Sequence, residues 1–215
     1  MTREKRTRLD PAARRAQLIA LGVEMLATRT LDALSVEDIA KQAGISRGLL
    51  FHYFASKQEF HTAVAQAAAQ DLLARTEPDT ALPPVEALRE ALGAFIGYVA
   101  DNPDSYKSLV RGAASGDAEM RAIFDDTRAS MAGRVIEVVL RLGFELSPRA
   151  QLAVHGWVAY CEECTIRWID SRTVSRDELQ EMLTKSLPAV VLAATDEQVG
   201  SLVSILTADA AIGSG

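Results

Sequence analysis

Apolar residues recur along this chain at intervals of three and four. Leu92, Phe95, Ile96 and Val99 form one such stripe; Met120, Phe124, Met131, Val135, Val138 and Leu142, with Thr127 among them, form another. That period puts the apolar side chains on one face of an α-helix. No run alternates β-branched and polar residues between hairpin dipeptides, so no strand is expected. Helix-start signals punctuate the stripes. Asp10-Pro11, Asn102-Pro103 and Ser147-Pro148 each place a capping side chain before a first-turn proline. Ser56 to Glu59 and Ser175 to Glu178 fit the capping box, in which hydroxyl and carboxylate each satisfy a free N–H. Gly143 follows "VIEVVLRL" where a helix should stop. The predicted helices are 11–28, 36–42, 46–53, 57–75, 84–100, 103–113, 117–142, 148–170 and 176–194, with a further candidate at 197–210. Pro188 removes a donor inside the 176–194 segment and is expected to kink or split it. "GAASGD" at 112–117 reads as a link between two helices.

The stretch "SVEDIAKQAGISRGLLFHYFASKQEF", Ser35 to Phe60, carries the most specific pattern. Ser35 caps a short helix with Val36, Ile39 and Ala40 inward. Gly44 supplies the positive φ of a tight interhelical turn, and Ile45 plugs the angle. Ser46 caps a second helix that points Leu50 and Phe54 to the core. Arg47, Gly48, Leu49, Phe51, His52 and Tyr53 then remain on its open side. A helix whose outward face carries no acidic residue suits the major groove of DNA. Lys57 opens the next helix, where its ammonium and the helix N-terminus can hold a phosphate. The pattern is a helix-turn-helix.

Charge sharpens this picture. The net charge of the 215 residues is −6, but residues 1–60 hold ten Lys/Arg against seven Asp/Glu, and the remainder thirteen against twenty-two. The N-terminal part is therefore +3 and the rest −9. Arg3, Lys5, Arg6, Arg8, Arg14 and Arg15 crowd the first fifteen residues. A basic end on an acidic chain implies a nucleic-acid partner at that end only, and the helix-turn-helix suits double-stranded DNA. The N-terminus carries no apolar stretch of a signal peptide, and no run approaches the roughly 20 apolar residues of a membrane span. Two cysteines three residues apart form no disulfide framework. A soluble, cytoplasmic protein without membrane contact is expected.

The segment resembles the DNA-binding domain of the TetR family of transcriptional regulators. The resemblance covers residues 11–60 and rests on the order of Gly48, Leu50, an aromatic at 51, Tyr53, Phe54 and Lys57. It implies an all-α protein with an N-terminal three-helix helix-turn-helix domain, 1–56, and a larger C-terminal helical ligand-binding and dimerisation domain, 57–215. It implies phosphate contacts for Ser35, Tyr53 and Lys57, and base-edge positions for Arg47, Gly48, Leu49 and His52; Ser46 belongs to the same surface as the cap. Phe51 departs from the family's usual tyrosine and lacks the hydroxyl that would bond a phosphate, so a packing role is expected.

The helix 148–170 is apolar nearly all round from Leu152 to Cys161, so it is expected to be buried on more than one side. The resemblance pairs it and helix 176–194 with their mates in a four-helix homodimer interface, which suits a pseudo-palindromic operator. It also implies an effector cavity among residues 84–170. The candidates are Phe95, Tyr98, Tyr106, Phe124, Trp157, Tyr160 and Trp168, with His155 and Glu162 or Glu163 as polar anchors. Aromatics around a buried carboxylate would favour an apolar cation.

Other chemistries find little support. There is no nucleophile elbow, phosphate loop or dinucleotide fingerprint. Cys161 and Cys164 lie about 60° apart around a helix and His155 about 120° or more from either, so one helix cannot aim all three at a metal ion. No cofactor is implied. The expected function is a repressor released from its operator by an unknown small apolar molecule. The alternatives are a redox-responsive regulator using Cys161 and Cys164 on the same fold, and a small helical enzyme or ligand carrier that does not bind DNA.

Overall fold

The computed structural model describes residues 10–114 and 117–194. The basic residues Arg3, Lys5, Arg6 and Arg8, part of the 112–117 link and the helix candidate at 197–210 lie outside them. Among the described residues there is no strand. The helices are α1 (Pro11–Leu26), α2 (Val36–Gln42), α3 (Arg47–Tyr53), α4 (Lys57–Arg75), α5 (Pro84–Asp101), α6 (Pro103–Ala114), α7 (Ala118–Arg141), α8 (Pro148–Ser171) and α9 (Arg176–Ala193), with a 3-10 turn at Leu31–Ala33.

Caps set most of these boundaries. Asp10 accepts from the Ala13 N–H at 2.8 Å, Ser35 from Asp38 at 3.0 Å, Ser46 from Leu49 at 3.2 Å and Ser147 from Ala150 at 3.2 Å. Each satisfies one of the free donors of a first turn. Ser175 and Glu178 make the full capping box. At α4 the box is displaced by one residue: Ser56 accepts from the Glu59 N–H, but the Glu59 carboxylate takes the Ala55 N–H at 2.6 Å. Asn102 does not open α6 as its place before Pro103 suggested. Its amide donates to the Tyr98 carbonyl at 2.9 Å and closes α5 instead. Gly44 (φ 65°) and Gly143 (φ 85°) are the left-handed residues that end α2 and α7. Pro188 does not split α9, which continues to Ala193.

By packing, the described chain forms two units. One holds the residues up to Gln70 with Asp104–Ile123; the other holds Asp71–Pro103 and the residues from Phe124 onward. The division expected after residue 56 follows role. The first part of α4 packs with the N-terminal unit, because Phe60, Val64 and Ala68 share its core with Leu18, Ile39 and Leu50. Phe54 and Phe60 meet edge to face, with ring centroids 5.0 Å apart. Gly22 allows α1 and α4 to approach: a Cβ there would sit 2.4 Å from Val64 Cγ2.

In the second unit α5, α8 and α9 pack on one another. Trp157 on α8 anchors α9, its indole N–H reaching the Leu183 carbonyl at 3.2 Å and Ser186 Oγ at 2.9 Å. Arg176 and Gln180 on α9 donate to the Gly93 and Arg89 carbonyls of α5, each at 2.7 Å. Gly93 leaves the room for this, since a Cβ would lie 2.8 Å from the Gln180 amide nitrogen. No helix of the described residues is long and apolar enough to cross a membrane.

Candidate nucleic-acid interface and effector cavity

The α2–α3 pair reproduces the geometry read from the sequence. Ile39, Ala40, Leu50 and Phe54 are buried, with Leu50 and Phe54 at 0% and 1% exposure. Fixing these side chains turns the opposite face of α3 outward. Ser46, Arg47, Gly48, Leu49, Phe51 and His52 are exposed, as is Lys57 at the start of α4; Tyr53 and Ser35 are half-buried. The hydroxyls of Ser35 and Ser46 accept from their own helices; the Ser46 O–H can then donate to a phosphate oxygen, while that of Ser35 is shared with the Asp38 carboxylate.

Two contacts shape this face beyond what the pattern foretold. Arg47 Nη1 pairs with Glu37 Oε1 of α2 at 2.8 Å. Its guanidinium lies over the Phe51 ring, 5.6 Å from the centroid. Phe51 therefore packs, but against Arg47 at the surface rather than in the core. Arg47 is thus oriented by one neighbour and neutralised by another. The sequence signal for Glu37 was weak, because a residue in the first turn of α2 reads as dipole compensation. Asp38 beside it pairs with Arg29 at 2.6 Å. That hydrogen bond, with the one from Ser35, holds the Asp38 carboxyl below its ordinary pKa. His61 plays no part in this surface. It is buried, with Nε2 3.1 Å from the Leu34 carbonyl, and burial lowers its pKa.

The C-terminal unit contains a largely apolar cavity of about 70 Å³ between α5, α7, α8 and the end of α4. Phe95 and Trp157 line it, as expected. The other candidates do not, each for a physical reason. Tyr98 is half-buried, and Tyr106 belongs to the other packing unit. Phe124 carries the Arg128 guanidinium at 4.3 Å from its centroid. Glu162 is buried but not a waiting anchor: both of its oxygens bind Arg128, one through Nε at 3.2 Å and the other through Nη2. His155 and Tyr160 are exposed. Trp168 donates to the Val174 carbonyl at 2.8 Å and supports the turn into α9, with Arg172 stacked on its ring. The sequence reading missed Thr76, Met131, Arg134 and Cys161 in the lining. Met131 belonged to a stripe and Cys161 to an apolar run already recognised; Arg134 lies between Met131 and Val135 of that stripe, where nothing in the spacing marks a charge as buried.

The Cys161 thiol opens on this cavity, and burial, then its neighbour Cys164, push its pKa far above the usual thiol range. A thiol held protonated is a poor nucleophile and a poor redox sensor. Among the described residues no cluster of His, Cys, Asp or Glu could hold a metal ion.

Comparison with known proteins agrees with this architecture. Residues 18–64 match the family of bacterial regulatory proteins of the tetR type, and residues 84–190 match a tetracyclin repressor-like C-terminal domain. A TetR-family regulator from Streptomyces coelicolor superposes with a TM-score of 0.79 at 31% identity, covering 92% of this chain and 90% of that one. The transcriptional activator FasR of Mycolicibacterium smegmatis is 24% identical over 181 residues, 81% of each chain. The transcriptional repressor KstR2 of the same species is 41% identical over 81 residues, 37% of this chain and 40% of that one. The chain belongs to the TetR family of DNA-binding transcriptional regulators, and it is not an enzyme.

Proposed function

We propose that this regulator is a cytoplasmic repressor that binds a pseudo-palindromic operator as a homodimer and releases it when a small molecule enters the C-terminal cavity. Residues 1–56, with Lys57 at the start of α4, make the DNA contacts; the rest of 57–215 carries the effector and dimer surfaces. The observation that carries the DNA reading is the outward face of α3. Arg47, Gly48, Leu49 and His52 face base edges while Leu50 and Phe54 lock the helix beneath. Ser35, Tyr53 and Lys57 hold phosphates on either side, and Ser46 fixes the end of α3 that enters the groove.

The exposed surfaces of α8 and α9 support the dimer. Leu152 is 72% exposed, and Tyr160, Met182 and Leu192 are also exposed on these two helices. Gly156 lies mid-helix with open space around the position of a Cβ, so no contact among the described residues requires a glycine there. A glycine at that place leaves room for close approach of a second copy. Two recognition helices held at fixed spacing bind two half-sites, and any rearrangement that changes the spacing loses one of them. Relatives in sequence carry both signs, FasR as an activator and KstR2 as a repressor. Repression is the simpler reading of a dimer that a ligand takes off its site.

Two measurements test this reading. Lys57→Ala should weaken binding to all DNA sequences and flatten its salt dependence by about one unit of slope, while Arg47→Ala should relax sequence preference. Leu152→Glu should give monomers by light scattering and lose operator binding at the same time. A monomeric parent chain, or a monomeric variant that still binds the operator tightly, refutes the dimeric reading.

A further inference from the structure

The lining of the C-terminal cavity contains a single charged residue, Arg134 of α7. Its side chain is only 20% exposed. Nη1 donates to the Leu73 carbonyl at 2.7 Å and to Thr76 Oγ1 at 3.3 Å, and Nη2 pairs with Glu77. A guanidinium has five N–H donors. These bonds leave Nε–H without a protein acceptor among the described residues. Nε–H beside an Nη2–H is the fork that takes both oxygens of a carboxylate. Glu77 occupies this edge through one oxygen only, from the segment that follows α4, and is 64% exposed.

The other side-chain O–H and N–H donors of the lining are spent. Thr76 donates its hydroxyl proton to the Leu72 carbonyl at 2.8 Å, and the Trp157 indole N–H is taken by α9. Leu92, Phe95 and Met131 make the rest of the wall apolar. The carboxylate expected here, Glu162, is committed to Arg128 and is not in the lining. A cationic ligand would therefore meet Arg134 and find no counter-charge, which reverses the sign drawn from the sequence. At about 70 Å³ the cavity admits only a small occupant.

We propose that the cavity takes a small apolar carboxylate, whose oxygens pair with Nε and Nη2 of Arg134 in exchange for Glu77. This rests on the reading of the cavity as an effector site. The exchange has a local consequence: Glu77 is released from Arg134, the residue that also ties down the last turn of α4 through Leu73 and Thr76.

The test uses the purified full chain and three probes of one shape: butanoate, butanamide and butylammonium. Binding is followed by Trp157 fluorescence and calorimetry, and operator affinity is measured in parallel on a fragment selected in vitro. Butanoate should bind at least about tenfold tighter than butanamide, the step expected when a neutral acceptor replaces a charged one on a guanidinium, and butylammonium should bind weakest. Glu77→Gln removes the internal competitor from an exposed position. It should tighten butanoate severalfold and leave butanamide unchanged. Equal affinity for butanoate and butanamide, no effect of Glu77→Gln on their ratio, or no butanoate binding at about 10 mM overturns the proposal. The effector reading fails separately: butanoate that binds with the expected preference yet leaves operator affinity unchanged keeps the anion site and removes its regulatory role. If butanamide matches butanoate in affinity and both release DNA, the anion site is removed and the regulatory role kept.

Discussion

Replacing Glu37 by glutamine should strengthen DNA binding, and the reason lies in one ion pair. In the free protein Glu37 Oε1 sits 2.8 Å from Arg47 Nη1 at the surface where DNA docks. Both side chains are more than half exposed, at 57% and 64%. A pair of unit charges at that distance in water is worth about 1.5 kcal/mol, and side-chain entropy and salt reduce this to about 0.5–1 kcal/mol. DNA must supply a better partner for Arg47 than the one it already has. Without Glu37 that cost disappears, so affinity should rise about two- to fivefold on specific and nonspecific sequences alike. Folding stability should change by less than about 1 kcal/mol, since exposed pairs contribute little. Fluorescence anisotropy on an operator fragment and on a scrambled duplex measures both affinities. The decisive control is Glu37→Gln in an Arg47→Ala background, where the gain should shrink towards nothing because the pair no longer exists. An unchanged gain there shows that Glu37 acts only through bulk charge. A loss of affinity in Glu37→Gln alone shows that the carboxylate orients Arg47 for DNA rather than competing for it.

The remaining predictions concern the folded state. Gly22→Ala puts a Cβ 2.4 Å from Val64 Cγ2, so α1 and α4 must separate or Val64 must turn; a loss of about 1–3 kcal/mol in denaturant unfolding is expected, and an unchanged midpoint refutes the close approach. Glu162→Gln leaves the partly buried Arg128 without its counter-charge and should cost about 2 kcal/mol, less than a fully buried pair because Arg128 is 35% exposed. His61 gives a pH dependence of known sign. Burial lowers its pKa in the folded protein from 6.5, so the unfolded chain binds the proton more readily. Its contribution is complete above about pH 6.5 and is lost as pH falls from there towards the folded pKa, with a slope of at most about 1.4 kcal/mol per pH unit. Unfolding midpoints between pH 7.5 and 5 should fall less steeply in His61→Gln than in the parent, and equal slopes refute the assignment.

Most of this architecture was legible because it depends on one-dimensional rules. Ser35, Ser46, Ser147 and Ser175 start helices by satisfying their own first-turn donors, and a cap acts over three residues of sequence. The buried face of α3 follows from spacing alone, and burying Leu50 and Phe54 leaves Arg47, His52 and Gly48 outside with no further information. Where a side chain had two local uses the reading failed. Asn102 could cap the helix after it or close the one before it, and its bond to the Tyr98 carbonyl decided the matter. Glu59 reached Ala55 rather than Ser56, a difference of one peptide that no spacing rule resolves.

The effector cavity was less legible because its character depends on who pairs with whom across sequence separations of dozens of residues. Periodicity shows that Glu162 faces inward, and a buried carboxylate with no known partner invites a cation. Arg128, 34 positions earlier and one turn from Phe124, settles the charge by claiming both oxygens. Arg134 is the opposite case. Nothing in the spacing marks it as buried, yet its side chain is four-fifths buried because the end of α4 offers it the Leu73 carbonyl and Thr76 Oγ1. A buried guanidinium keeps its charge, since no proton can be shed near neutral pH. The sign of the cavity is therefore set by which of the two internal ion pairs can be opened. The Arg128 pair has a buried carboxylate held at two points, while the Arg134 pair has an exposed carboxylate held at one. An exposed Glu77 regains water when it leaves Arg134; a buried Glu162 regains little. Exchange is thus cheap only on the cation's side, and that asymmetry, more than the number of aromatic rings, selects an anion.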